Sequence, residues 1–357
     1  MPPRPRKLTI LGAGPSGLTL ARLLPPWVDY TIYESRPNPA LQTANDWGGS
    51  LDIHTGTGQA ALRAAGLLER FRSIARWDVP TRLADGITGR VVPMDEGGEE
   101  ARPEIDRSAL RKLLMQGIPP GRLKFGKKVT SVSPGRVEFE DGTEETGMEL
   151  IVGADGTFSR TRKAVTDALP RYKGVSLFAK RLEGDHPLRG VAEVLAGQGT
   201  YMALAGGRVL VVQANSGGAY FVYLGMRVEE GGMLRKDVFG GWDGKLKGIV
   251  EGLEGFKTWG LYSLPTDALP WRRTKGITLI GDAAHVSCPN GEGVNVGMWD
   301  ALKLAEAIGK GEVLDEAVRE YEEEMFPRAR EQIKNGNDTW ETLMKEGTTP
   351  ETFISGI

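Results

Sequence analysis

Apolar and polar positions follow two rhythms along the chain. Lys7 to Gly14, KLTILGAG, is a short apolar run that stops in glycines, the pattern of a buried strand entering a tight turn. PSGLTLARLL, from Pro15 to Leu24, repeats its apolar residues at helical spacing until Pro25-Pro26 ends it. DYTIYES, from Asp29 to Ser35, is rich in β-branched and aromatic residues and predicts a second strand. This is a βαβ opening. Helical spacing returns over Thr57–Arg72 and Arg107–Gln116, and Leu123 to Gly156 reads as strands with turns at Pro134-Gly135 and Asp141-Gly142. From about Leu169 to Lys275 the rhythm changes. TYMALAGGRVLVVQANSGGAYFVYLGMRV alternates apolar runs with glycine turns, which predicts an antiparallel sheet. GITLIGDAAH returns to a buried strand ending in a polar loop, and a helix is expected from near Val294. A last helix starts near Leu314, with Ala317, Val318, Tyr321 and Met325 on one stripe and an interruption expected at Pro327.

These elements predict an α/β fold with an α+β insertion. A Rossmann-like domain is assembled from 1–76, 103–168 and 276–318. A β-rich domain takes 77–102 and 169–275, and 319–357 form a C-terminal helix and tail. At 357 residues the chain is long enough for two domains. A formal net charge of -2 gives no electrostatic reason to expect nucleic acid or an anionic membrane as partner. The single cysteine rules out an internal disulfide and fits a reducing, cytoplasmic setting. The basic start MPPRPRK is followed by an apolar run, but glycines, Pro15 and Arg22 break it, which argues against a secretory signal. No apolar stretch is long enough to span a bilayer, so no stable membrane association is expected.

Three segments carry candidate chemistry. In the first, Gly12, Gly14 and Gly17 form G-x-G-x-x-G between strand and helix, within the turn Gly12-Ala13-Gly14-Pro15-Ser16-Gly17. The first glycine allows the tight turn, the second lets backbone approach a pyrophosphate, and the third lets helix and strand pack closely. The helix N-terminus favours the phosphate charge. Glu34 ends the second strand, where an acid binds ribose hydroxyls. The fingerprint does not separate FAD from NAD(P), and no second copy of it occurs. The second segment, GADGTFSRTR, places Ser159, Arg160 and Arg162 after an Asp155-Gly156 turn, where they face either phosphate or a capped helix start. The third, GDAAHVSCPNGEGVN, holds Asp282, His285 and Cys288. A metal site lacks a fourth ligand there, and a cysteine nucleophile lacks an orienting partner. His285 therefore reads as a structural histidine and Cys288 as a packing residue.

GAGPSG with Glu34, GADGTFSRTR and GDAAHVSCPNGEGVN together resemble, in order and spacing, the single-component FAD-dependent monooxygenases of the aromatic-hydroxylase type. GGSLDIHTGTGQAALRAAGLL and PEIDRSALRKLL look closest to the branch that includes tetracycline-inactivating monooxygenases. The resemblance covers nearly the whole chain. It implies that Gly12, Gly14 and Gly17 bind the ADP half of FAD and Glu34 its ribose, with Arg36 supplying positive charge beside it. It places Gly49, Asp52, Arg107 and Arg111 at or beside FAD-contacting positions, and Asp155 and Gly156 in a motif linked to FAD and NAD(P)H. Asp282 would hold the ribityl chain, and Pro289 through Asn295, including Gly291, Gly293 and Val294, would form the loop beside the flavin ring. The loop's glycines and the following helix N-terminus suit backbone donation to a negatively charged reduced flavin.

The reaction implied by the resemblance uses NADPH or NADH to reduce FAD, and O2 to form a flavin C4a-hydroperoxide. An oxygen atom then hydroxylates or epoxidises an apolar, polycyclic or aromatic small molecule, such as a secondary metabolite or antibiotic-like compound. No protein nucleophile is required, because the cofactor carries the chemistry. Two other readings stand beside it: a flavin-dependent dehydrogenase or reductase without oxygen insertion, and a non-catalytic escort-type binding protein. Tyr201, Met202, Gln213, Phe221 and Tyr223 of the middle sheet, and Trp47, are candidate substrate-pocket residues. A monomer is expected. Two departures from the family pattern bear on the site. One residue is missing between Pro289 and Gly291, and Thr200 stands where tetracycline-inactivating members carry a cofactor-contacting arginine.

Overall fold

A computed structural model describes residues 6–38, 48–93, 102–311 and 313–355. At its centre is a five-stranded parallel sheet in the order Ile277–Leu279, Leu150–Gly153, Arg6–Leu11, Val28–Glu34 and Leu123–Phe125. Its strands Arg6–Leu11, Leu150–Gly153 and Ile277–Leu279 bury their apolar residues on both faces, as expected of a covered parallel sheet. Ile10, Ile32, Ile151 and Leu279 are fully buried. The fingerprint strand Arg6–Leu11 sits in the middle of the sheet, with chain leaving it to both sides. A crevice for a ligand opens beyond the carboxyl ends of strands at such a reversal. Gly12 and Ala154, which follow strands Arg6–Leu11 and Leu150–Gly153, meet there. A Cβ on Gly12 would lie 2.2 Å from the Ala154 carbonyl oxygen.

A second sheet has seven strands, in the order Lys257–Ser263, Arg171–Leu182, Tyr220–Arg227, Arg208–Ala214, Thr200–Ala205, Thr81–Asp85 and Val91–Val92. It is not wholly antiparallel as expected, since Thr81–Asp85 pairs parallel with Thr200–Ala205. One face, with Tyr201, Val212 and Val222, packs under helices Arg189–Ala196 and Gly244–Gly252. The opposite face, with Leu204, Val209 and Val175, packs on Trp340, Leu343 and Met344. The short ribbon Ser50–Asp52/Glu104–Asp106 and a three-stranded meander, Val129–Ser133, Arg136–Phe139 and Glu144–Thr146, complete the sheets of the described residues.

Two helices differ from the sequence reading. The segment Thr57–Arg72 forms two helices, Gly58–Ala64 and Leu68–Ile74, because Gly66 turns at φ 68° between them. The C-terminal helix runs unbroken from Leu314 to Leu343 through Pro327. Pro327 and Glu323, one turn back, are both exposed, so water can take the carbonyl that proline leaves unbonded. Met325, Ala329 and Ile333, fully buried on the other face, hold the helix together across the site.

Candidate active site

The fingerprint turn separates its glycines by task. Gly12, at φ 112°, allows the backbone crossing against Ala154, and a Cβ on Gly17 would lie 2.1 Å from the Gly12 carbonyl oxygen. A Cβ on Gly14 would meet nothing within 4 Å. Gly14 is therefore not needed for packing and borders open space at the start of helix Pro15–Leu23, whose N-terminus has no side-chain cap. Pro15 fixes the first helical turn. Ser16 is a packing wedge, since Cβ atoms on Gly281 and Gly297 would lie 2.5 and 2.4 Å from its Oγ. Glu34 is 3% exposed, and its carboxylate accepts from Ala13 N at 2.9 Å and from Arg36 N and Nε at 2.9 Å. Burial works to raise this carboxyl, but Arg36 and the two backbone donors outweigh it and hold it down at about 2. Glu34 is thus held charged and fixed at the end of its strand. Arg111 braces the turn, with Nε donating to Ala13 O at 3.0 Å.

The second motif is largely spent on itself. Asp155 accepts from Ser159 Oγ and from the backbone N–H groups of Arg160 and Thr161. Arg162 does not face an open phosphate position. Its guanidinium donates to the carbonyls of Asp282, Ala283 and Thr157. It holds the Gly281–His285 turn, leaving the Asp282 side chain exposed with no hydrogen-bond partner among the described residues. Gly156 also borders open space.

Behind that turn, Asp300 is fully buried. It accepts from Gly281 N at 2.9 Å, pairs with His285 Nε2 at 2.6 Å and takes Arg328 Nη2 at 2.9 Å. Cys288 is buried, and burial pushes its thiol up to about 11, far from a reactive thiolate. Among the described residues, no three His, Cys, Asp or Glu side chains converge as metal ligands.

The loop from Pro289 to Glu292 runs into helix Gly293–Gly309, whose first turn has no side-chain cap. Asn295 is fully buried and joins three pieces of chain. Its Nδ2 donates to Asp52 O at 2.8 Å and Gly291 O at 3.3 Å, and its Oδ1 accepts from His54 N at 2.9 Å. Its side chain is therefore consumed inside the protein. Only the backbone here, with Val294 and the open position at Gly293, is left for a ligand. The Pro289–Glu292 loop is braced from outside. Trp340 Nε1 donates to Pro289 O at 2.6 Å, and Gln332 Nε2 to Asn290 Oδ1 at 3.0 Å.

Facing this loop, the seven-stranded sheet meets the Ser50–Asp52 ribbon. The register Thr200↔Gln213↔Phe221 and Met202↔Val211↔Tyr223 puts four substrate candidates on one face. Tyr201 lies on the other face, in the core beneath the two helices, and is not a pocket residue. Phe221 is fully buried, stacked on Tyr223 with ring centroids 5.7 Å apart. It supports the face rather than lining it. A Cβ on Gly49 would lie 2.2 Å from the Tyr223 hydroxyl and 2.7 Å from Gln213 Oε1, so only glycine permits this junction. Gln213 Oε1 accepts from Ser50 N at 2.9 Å. Burial, offset in part by Arg107, pushes the Tyr223 phenol up to about 12, keeping it a donor. Arg107 N donates to Gly49 O at 3.2 Å. Trp47 lies outside the described residues.

Sequence reasoning missed Arg76, His54, Glu104 and Glu292. Arg76 ties Glu104 and Asp106 to the sheet through contacts of 3.2 and 2.8 Å. Thr200 Oγ1 reaches Glu104 at 3.5 Å. No spacing rule marks these residues, because they come from separate elements.

The arrangement fits FAD. Open glycine positions, an uncapped helix start and a buried carboxylate lie at the fingerprint, an exposed acid at the next turn, and a second uncapped helix start beyond it. Comparison with known proteins agrees. Residues 248–335 match the model of the "FAD binding domain" family. The monooxygenase penA of Penicillium thymicola is 30% identical, over 95% of this chain and 94% of its own length. Two solved structures share the fold at lower identity. Klebsiella pneumoniae HpxO complexed with FAD and uric acid has a TM-score of 0.77 at 20% identity, covering 98% of this chain and 95% of its own. Tetracycline destructase Tet(51) has a TM-score of 0.74 at 18% identity, covering 99% and 95%. With an enzyme of this kind matched along almost its entire length, the chain belongs to the FAD-dependent monooxygenases.

Proposed function

We propose that this enzyme uses NADPH or NADH and O2 to hydroxylate or epoxidise an apolar aromatic or polycyclic small molecule. The observation that carries the reading is the juxtaposition of the Pro289–Asn295 loop with the sheet face bearing Met202, Gln213 and Tyr223, joined through Gly49 and Ser50. In this reading 1–76, 103–168 and 276–318 hold the cofactor, and 77–102 and 169–275 the substrate.

FAD, when bound, supplies the redox chemistry by accepting hydride and activating dioxygen. The protein's residues bind and orient. The backbone N–H groups of Gly14 and Ser16 would receive the pyrophosphate, Glu34 the ribose, and Asp282 the ribityl hydroxyls. N–H groups at the start of helix Gly293–Gly309 stabilise negative charge on the ring. Tyr223 and Gln213 offer the polar contacts of an otherwise apolar wall, with Met202 adaptable beside them. Packing of Trp340 and Leu343 behind the loop limits water, which otherwise diverts the oxidant to hydrogen peroxide. Substrate class rests on this wall's character. The test is a panel of aromatic and polycyclic compounds. A substrate should raise NAD(P)H and O2 consumption together, and a panel dominated by small, charged compounds among the accelerators would sink the assignment.

A further inference from the structure

The Ser50–Asp52 ribbon brings an unusual set of titratable groups to the flavin loop. Asp52 and Glu104 are directly paired across the two strands, so two carboxylates stand side by side. A Cβ on Gly291 would lie 4.0 Å from Asp52 Oδ2, which puts the carboxylate against the loop's own turn. From that loop Glu292 reaches back, with Oε1 3.1 Å from His54 Nδ1. His54 is 8% exposed, and its Nε2 is buried with no hydrogen-bond partner among the described residues. Glu104 is paired with Arg76 at 3.2 Å, a guanidinium it shares with Asp106, while no described side chain hydrogen-bonds or ion-pairs with Asp52. The charged groups acting on Asp52 are Glu104 and Glu292, which favour its protonated form, and His54 and Arg102, which oppose it. Burial and Glu104 prevail and push the carboxyl up to about 6.

We propose that Asp52 is a redox-linked proton site, binding a proton as negative charge develops on a flavin seated against the Pro289–Asn295 loop. The inference rests on the placement of the flavin ring given under the proposed function. An anion added beside a carboxylate that already has two acidic neighbours raises its proton affinity further. The electron pair arrives on the flavin as hydride from the nicotinamide reductant. In the same event one proton from solvent forms an O–H bond on Asp52, and no other bond of the protein changes. Charge at the loop is thereby kept even, and a proton is stored within the site for the oxygen chemistry that follows. Asn295 fixes the geometry by holding Asp52, His54 and Gly291 through one side chain.

The test is the flavin midpoint potential of the FAD-loaded protein, measured between pH 5 and 8, for wild type and Asp52→Asn. One linked proton per two electrons makes the equilibrium tenfold more pH-sensitive per unit, about 30 mV per pH unit of added slope. Wild type should show this extra slope above about pH 6, and Asp52→Asn should lack it. Should Asp52→Asn not retain FAD, Glu104→Gln keeps Asp52 and removes its like-charged neighbour, so the break should move to lower pH. Yellow proteins with identical slopes, or a break unmoved by Glu104→Gln, overturn this proposal alone. A wild-type chain that takes up no FAD overturns the placement of the cofactor and this proposal with it.

Discussion

Gly12 and Gly14 stand two residues apart in one turn under different constraints. At Gly12 a side chain is excluded by positive φ and by the Ala154 carbonyl, whereas at Gly14 the protein leaves the space open. Gly12→Ala should therefore cost about 3 kcal/mol or more of folding stability. Gly14→Ala should leave the stability of the FAD-free protein within about 0.5 kcal/mol of wild type, yet weaken FAD binding at least tenfold, about 1.4 kcal/mol. Urea unfolding and flavin titration separate the two effects, and equal destabilisation by both variants would contradict the division. Asp300 carries a second prediction. Burial favours its protonated form, but His285 and Arg328 outweigh this and depress its pKa. Burial disfavours the His285 imidazolium, but Asp300 outweighs it and raises that pKa. The histidine's share of stability is full below its usual value of about 6.5 and fades as pH rises through the raised folded value. The aspartate's share is full above about 3.8 and is lost as pH falls through its depressed value. Asp300→Asn should cost about 3–5 kcal/mol near pH 6 by stranding two cations, and should abolish the alkaline decline in unfolding free energy. An unchanged decline from pH 6 to 9 rules the pair out as its source.

At the scale of elements, the C-terminal helix Leu314–Leu343 explains how the loop Pro289–Glu292 keeps a defined shape. Trp340 and Gln332 both bond to it, and a Cβ on Gly336 would lie 2.4 Å from the carbonyl oxygen of Cys288, just before it. Trp340→Phe keeps most of the packing and removes one hydrogen bond, worth about 1 kcal/mol. The variant should stay folded and flavin-bound but release more hydrogen peroxide per NAD(P)H consumed. Unchanged coupling would show that the brace does not reach the ring. None of this was legible in the sequence, where the helix reads only as an amphipathic stripe with a proline in it. Contacts between residues 42 and 51 positions apart leave no periodic trace. The fingerprint turn, by contrast, was legible because strand, turn and helix are contiguous and each glycine has a local reason.

Over the whole molecule, alternation along Thr200–Ala214 and Tyr220–Arg227 gave two faces but not which of them meets the Ser50–Asp52 ribbon. The structure resolves this through Gly49, which touches Tyr223 and Gln213 and so leaves Tyr201 on the far side. The seven-stranded sheet also draws Thr81–Asp85 from far upstream, a parallel pairing that local pattern does not encode. Two sheets, a ribbon between them and one long helix thus converge on the loop that the third motif marks. Their arrangement is that of an FAD-dependent monooxygenase.

The most direct measurement is the mass of the product formed by the FAD-loaded enzyme with NADPH, a panel aromatic that accelerates turnover, and isotopically labelled dioxygen. One labelled oxygen atom in the product is the expected result. An oxidised product without label would identify a flavin dehydrogenase and contradict the account.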